Sequence, residues 1–333
     1  MRNRAKRKTA LIFGASGQDG AYLSLLLLDK GYRVVASSRA ASVTNLATLG
    51  IQHRVEFIPA DVADADAVLQ SIRDTSPDEI YNLAGQSSVG LSFEHPVETM
   101  ASTSTGTLNI LEAIRQVDPT IRVFNAGSSE CFGDTDGVAA DEDTAFRPTS
   151  PYAVGKAAAF WHASVYRQAH GLFACTGILF NHESPLRPER FVTQKIVRAA
   201  CAIVAGKADR LQLGNIDISR DWGWAPEYVE AMWLMLQQDQ PVDLVLATGE
   251  THPLAEFVNK AFSAVGLDWR AHVECNPALL RPSDMRASVA NPARAKALLG
   301  WQAHTRLANV ARLMVAAEQR RIAANPGIME QGS

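Results

Sequence analysis

The chain has 333 residues, 47% of them hydrophobic and 20% charged, with a formal net charge of −3. That supply of apolar residues can fill one big domain or two smaller ones, and so balanced a charge leaves no basic face for nucleic acid. The basic start at residues 2–8 has the look of a secretory n-region, but the apolar run behind it, Thr9–Phe13, stops at a glycine cluster. A secretory h-region needs roughly 7–15 apolar residues and a membrane span about 20. The four cysteines, Cys131, Cys175, Cys201 and Cys275, form no CxxC pair and no metal-ligand spacing. The expectation is a cytoplasmic protein with reduced thiols, no metal and no membrane contact.

In chain order, residues 9–13 read as a buried strand and 17–30 as a helix that Gly31 can cap. Strands follow at 32–37, 55–58 and 79–84, with a helix near 65–74. Residues 103–116 are helical, 122–126 a strand, and 151–170 a long helix opened by Pro151 at its first turn. Another strand is expected at 173–180. Strands alternating with helices of this length predict an α/β fold of the Rossmann type, a doubly wound parallel sheet. Beyond residue 181 the rhythm loosens: polar loops at 185–190, a helix at 192–205, a strand at 211–213, a helix at 226–238 and a strand at 244–247. No linker separates the two parts. The division expected is a nucleotide-binding domain over 1–180, rejoined by 221–250, and a smaller interleaved substrate-binding lobe in the rest of 181–330.

The segment Gly14-Ala15-Ser16-Gly17-Gln18-Asp19-Gly20 lies between the first strand and the first helix. Glycines there permit a tight turn and close backbone approach to a pyrophosphate, which the helix N-terminus then faces. The second strand runs into Ser37-Ser38-Arg39 with no carboxylate. An acid at that point would take the ribose 2′-hydroxyl of NAD, and an arginine accommodates the 2′-phosphate of NADP, so NADP is the expected cofactor. Asp61 and Val62 after the third strand are expected at the adenine, and Leu83, Ala84, Gly85 and Ser87 after the fourth along the cofactor.

Tyr152-Ala153-Val154-Gly155-Lys156 falls in the proline-opened helix. Residues four apart share a helix face, and an ammonium beside a phenol favours the phenolate. Such a tyrosine can take a hydroxyl proton while hydride leaves the same carbon. The strand at 122–126 ends in Gly127-Ser128-Ser129-Glu130, at the carboxyl edge where such sheets place ligands. Ser128 can hydrogen-bond the hydroxyl being oxidised. Glu130 is the residue a simple dehydrogenase does not need: a carboxylate beside the substrate can remove a proton alpha to a new carbonyl, the step that precedes elimination.

These segments, with GILFNHESPLRPERFVTQKI over 177–196 and LGNIDISRDWGWAPEYV over 213–229, closely resemble the GDP-mannose 4,6-dehydratase family of extended short-chain dehydrogenase/reductases. The likeness runs from near residue 9 through RPSD at 281–284 to LLGW at 298–301. It implies a redox-neutral lyase: NADP⁺ oxidises C4 of the mannose with Tyr152 as base and Lys156 in support, Glu130 takes the C5 proton, water leaves C6, and hydride returns to C6. It implies further that His182 and Arg187 contact the cofactor. Ser87, Ser129, Asn181, Lys195, Arg220, Arg281 and Asp284 would line the site of the GDP-sugar, in a homodimer or homotetramer. Ser128 stands where the family has threonine, Leu186 where it commonly has an arginine, and Glu98 where it has a tyrosine near the cofactor. Trp224 and Pro226 replace polar residues, and the segment after Arg39 is shorter.

Two other enzyme readings share the scaffold: a reductase or epimerase of GDP-4-keto-6-deoxymannose, and a dehydratase of another GDP-hexose such as GDP-N-acetylglucosamine. Glu130 favours a dehydratase. A non-catalytic nucleotide sensor would have no use for Ser128, Tyr152 and Lys156 together.

Overall fold

The computed structural model describes residues 7–39, 43–280 and 284–324. Strand β1 (Thr9–Phe13) is wholly buried, as expected of a strand covered on both faces. Its neighbours are β2 (Arg33–Ser38), β3 (Glu56–Pro59), β4 (Glu79–Asn82), β5 (Arg122–Ala126) and β6 (Ala174–Leu179). With a late strand at Leu244–Leu246, they form a parallel seven-stranded sheet. From one edge the order is the late strand, then β6, β5, β4, β1, β2 and β3. It reverses between β1 and β4, so the crevice beyond their carboxyl ends is where a ligand belongs.

Side chains alternate between the faces of β1. Ala10 and Ile12 pack with helices α1 (Gln18–Asp29) and 225–235. Leu11 and Phe13 pack on the opposite face, under 65–75 and 106–117. The short α2 (Thr44–Thr48) follows β2, and α3 (Ala65–Thr75) follows β3. Asp64 starts α3 by accepting from the N–H groups of Asp66 and Ala67, a favourable N-cap. After β4, α4 (Val89–Glu94) and α5 (Pro96–Met100) lead through a π-helical turn at Ala101–Thr105 into α6 (Gly106–Val117). The sequence placed a single helix start at 103, inside that turn. Helix α7 (Pro151–His170) has the predicted bounds: the Ser150 hydroxyl accepts from Ala153 N–H, Pro151 opens it, and Gly171 ends it in the left-handed region.

The second half has its own core. Helix α8 (Val192–Val204) packs with segments 254–263 and 307–324 around Ile196, Phe257 and Val310. Two small sheets flank it: β7 (Asn181–Glu183) with β9 (Ser219–Trp224) and β11 (Thr251–Pro253), and β8 (Leu211–Leu213) with β12 (Val273–Cys275). Helix α9 (Ala225–Met235) leads back to the large sheet, where β10 (Leu244–Leu246) pairs with β6. Helices α10 (Leu254–Ser263), α11 (Ala293–Leu299) and α12 (Leu307–Ala324) complete the chain. No helix among the described residues is long and apolar enough to cross a membrane.

Candidate functional site

The glycine loop is locked in place by contacts that leave no room for a side chain. Gly14 has φ +84°, and a Cβ there would stand 2.6 Å from the Leu83 carbonyl oxygen. A Cβ on Gly20 would collide with the Gly14 carbonyl and Ala15. The loop therefore lies directly on the end of β4, and Gly17 caps α1 with no side chain to accept from its first turn. Donors left at a helix N-terminus suit a phosphate. The cleft there, about 410 Å³, is lined by Gly14, Ser16, Gly17, Gln18, Asp19 and Gly20. The ends of β2 to β4 add Arg39, Asp61, Val62, Leu83, Ala84, Gly85 and Ser87. These residues fit a nicotinamide dinucleotide.

Three details refine the sequence expectations. Arg39 is not an isolated cation: its Nη1 donates to the Glu98 carboxylate at 2.8 Å. Asp61 accepts from Ala63 N–H at 3.0 Å with one oxygen. Gln18 is buried, donating to Asp19 (3.0 Å) and the His182 carbonyl (3.1 Å) and accepting from the Ser184 hydroxyl (2.7 Å). It joins the loop to β7, so its side chain is a brace.

A second cleft, about 190 Å³, opens beside the first and shares Asp19, Leu83, Ser87 and Arg187 with it. Ser128, Ser129 and Glu130 reach it from the end of β5, Tyr152 and Lys156 from α7, Asn181 and His182 from β7, and Arg220 from β9. The Ser128 hydroxyl accepts from Glu130 N–H at 3.3 Å, which fixes the short 3-10 turn carrying Glu130. It also hydrogen-bonds Tyr152. Burial pushes the Tyr152 phenol well above its usual range, more than Ser128 and the charge of Arg187 pull it down. Lys156 is buried and donates to the Ala126 carbonyl at 2.8 Å. Burial lowers it to about 8 against the pull of Cys131 and Asp19. The expected lowering of the tyrosine by this lysine is not found among the protein's own groups, because desolvation dominates both.

His182 donates from Nε2 to Asp19 at 2.9 Å and from Nδ1 to the Phe180 carbonyl at 2.7 Å. Burial disfavours its charged form, but the Asp19 charge and both hydrogen bonds outweigh it and raise the pKa. Burial likewise raises Asp19, and His182, Gln18 and Arg187 together more than reverse it.

Lys195 and Asp284 line a third cleft of about 210 Å³ that joins the second at Arg190, Val192 and Ile218. Arg281 lies outside the described residues. Sequence reasoning missed Arg190, Phe191, Thr193 and Trp222, which also line the second cleft; all four fall in the two long motifs quoted above, which was the available signal. Leu186, at the arginine position, is buried in the core.

A family model described as GDP-mannose 4,6 dehydratase matches residues 11–314. GDP-mannose 4,6 dehydratase 1 of Arabidopsis thaliana is 44% identical, covering 97% of this chain and 94% of that protein. GDP-mannose 4,6-dehydratase of Sinorhizobium fredii is 43% identical over 93% and 96%. Among solved structures, UDP-glucose 4-epimerase of Thermus thermophilus in complex with NAD superposes with a TM-score of 0.83 at 27% identity, over 93% of this chain and 99% of that one. RMD of Pseudomonas aeruginosa complexed with NADPH gives 0.78 at 21%, over 94% and 99%, a likeness of fold alone. With a family model spanning nearly the whole length and relatives this similar end to end, the chain belongs to the GDP-mannose 4,6-dehydratase family.

Proposed function

We propose that the protein converts GDP-mannose to GDP-4-keto-6-deoxymannose with NADP as its cofactor. The observation that carries this reading is the meeting of Ser128, Glu130, Tyr152 and Lys156 in one cleft that opens into the glycine-loop cleft. The nucleotide-sugar is assigned to the second and third clefts, between the sheet and the second core.

Gly14, Ser16, Gly17 and Gly20, with Arg39 and Asp61, would hold the dinucleotide in the first cleft, where it would supply the acceptor for hydride from C4 and the donor of hydride to C6. Tyr152 takes the C4 hydroxyl proton, and Ser128, already hydrogen-bonded to that phenol, holds the hydroxyl. Lys156 stabilises the phenolate with its charge. Once C4 is a ketone, the C5 proton is acidic, and Glu130 removes it. The C6 hydroxyl leaves as water after protonation, and a C5 proton is restored as C6 is reduced. No external reductant is consumed, so a lyase results from a dehydrogenase scaffold.

NADP is preferred on Arg39, the cation that follows β2. The test is to incubate the purified protein with GDP-mannose and no added reductant. A product lighter by one water, with no net change in nicotinamide absorbance, is expected. Unchanged GDP-mannose alongside dehydration of GDP-N-acetylglucosamine would overturn the substrate.

A further inference from the structure

Most cations of the clefts are already engaged. Arg187 meets Glu183, Nε to Oε2 at 3.2 Å. Arg220 spends Nη1 on the carbonyls of Ser219 and Met285 and Nη2 on Asp284, each at 2.9 Å. Buried between β9 and the 284–285 segment, it is an internal strut as much as a ligand. Lys195 donates to the Gln212 carbonyl at 2.7 Å.

Arg190 is different. Among the described residues no carboxylate or carbonyl accepts from its guanidinium, and the carboxylate next to it in sequence, Glu189, is paired with Arg198. Its neighbours are the Phe191 ring, 5.0 Å away, and Arg187, whose guanidinium lies 3.7 Å from the same ring. Partial burial and then the like charge of Arg187 lower its pKa. Arg187 has Glu183 as its ion-pair partner, whereas Arg190, beside the same ring, has no ion-pair partner among the described residues. Arg190 also lines all three clefts.

We propose that Arg190 binds the diphosphate of the nucleotide-sugar substrate, gripping it with Lys195 at the junction of the second and third clefts. The inference rests on the reading that a nucleotide-sugar occupies those clefts. A guanidinium with its fork unspent is suited to phosphate oxygens. The cofactor's pyrophosphate has the N-terminus of α1 to receive it, whereas the third cleft has no residue of the glycine loop in its lining. The nucleotide-sugar is therefore the anion that needs Arg190.

The test titrates NADP-saturated wild type and the R190A, R190Q and R190K variants with a fluorescent GDP, displaced in turn by GDP and by inorganic pyrophosphate. NADP affinity is measured separately. R190A and R190Q should weaken GDP about 10- to 100-fold, with pyrophosphate displacement weakened in parallel, and R190K should recover part of the loss. Wild-type affinity for GDP in R190A overturns the proposal. So does a loss confined to NADP, which would give the cation to the cofactor. If wild type binds and turns over a uridine nucleotide-sugar instead, the substrate reading fails. The same titration with UDP then decides the role of Arg190 independently.

Discussion

The Ser128 hydroxyl connects two groups that the chemistry needs apart. It accepts the Glu130 N–H, which aims the carboxylate's turn, and it touches the Tyr152 phenol. Oxidation at C4 and proton removal at C5 can thus be separated by substitution. Glu130→Gln should slow elimination about 10²- to 10⁴-fold while leaving C4 oxidation detectable as a transient of reduced nicotinamide in a single turnover. Near wild-type release of water from that variant would remove Glu130 from the role. At the other end of the cofactor cleft, Arg39 is balanced by Glu98, and Asp61 adds its charge nearby. A 2′-phosphate must compete with these carboxylates for one guanidinium. Glu98→Gln should therefore tighten NADP relative to NAD about three- to tenfold, an effect that fades at high salt. Paired titrations of the two dinucleotides at low and high ionic strength check it. The arginine was legible in the sequence. Its partner was visible only as an odd residue, because nothing local brings residues 39 and 98 together.

At the scale of elements, the long buried strands and the capped helices were readable because period, length and punctuation agree over many residues. Helix α7 has the predicted bounds since Ser150, Pro151 and Gly171 each act locally. Strands β7 and β11 have three residues each, too few for any alternation to be recognised. Strand β9 exists because partners on both sides complete it. What anchors that small sheet is Asp221, fully buried, which accepts from the Thr248 N–H at 3.0 Å and the Gly249 N–H at 2.7 Å. Burial pushes its carboxyl up to about 6, despite those donors. Truncation strands two buried N–H groups, so Asp221→Ala should cost about 2–4 kcal/mol. Denaturant unfolding measures it, and a loss within experimental error would show that the turn at 248–249 holds itself.

Across the whole molecule, one buried cluster ties the glycine loop to the second half. Gln18 and Asp19 from the start of α1 meet His182 and Ser184 around β7, and His182 stacks on Tyr228 of α9 with centroids 4.5 Å apart. Asp19 lines both clefts, Gln18 the first and His182 the second, so the Asp19–His182 pair joins the walls of the two. Because the folded pKa of His182 is raised above 6.5, its contribution is complete below 6.5 and is lost as pH climbs through the raised value. Because that of Asp19 is lowered below 3.8, its contribution is present above 3.8 and is lost as pH falls through the lowered value. The pair therefore holds across the window between those two losses. Breaking a buried pair on one side costs about 3–5 kcal/mol, so His182→Gln should be destabilised by about that much in mildly acidic buffer. The gap from wild type should narrow as pH rises through the raised pKa of His182, since wild type then loses the imidazolium that the variant never had. Thermal unfolding of both proteins from mildly acidic to alkaline pH decides it: a gap that stays constant would mean that His182 acts by packing on Tyr228, not through its charge.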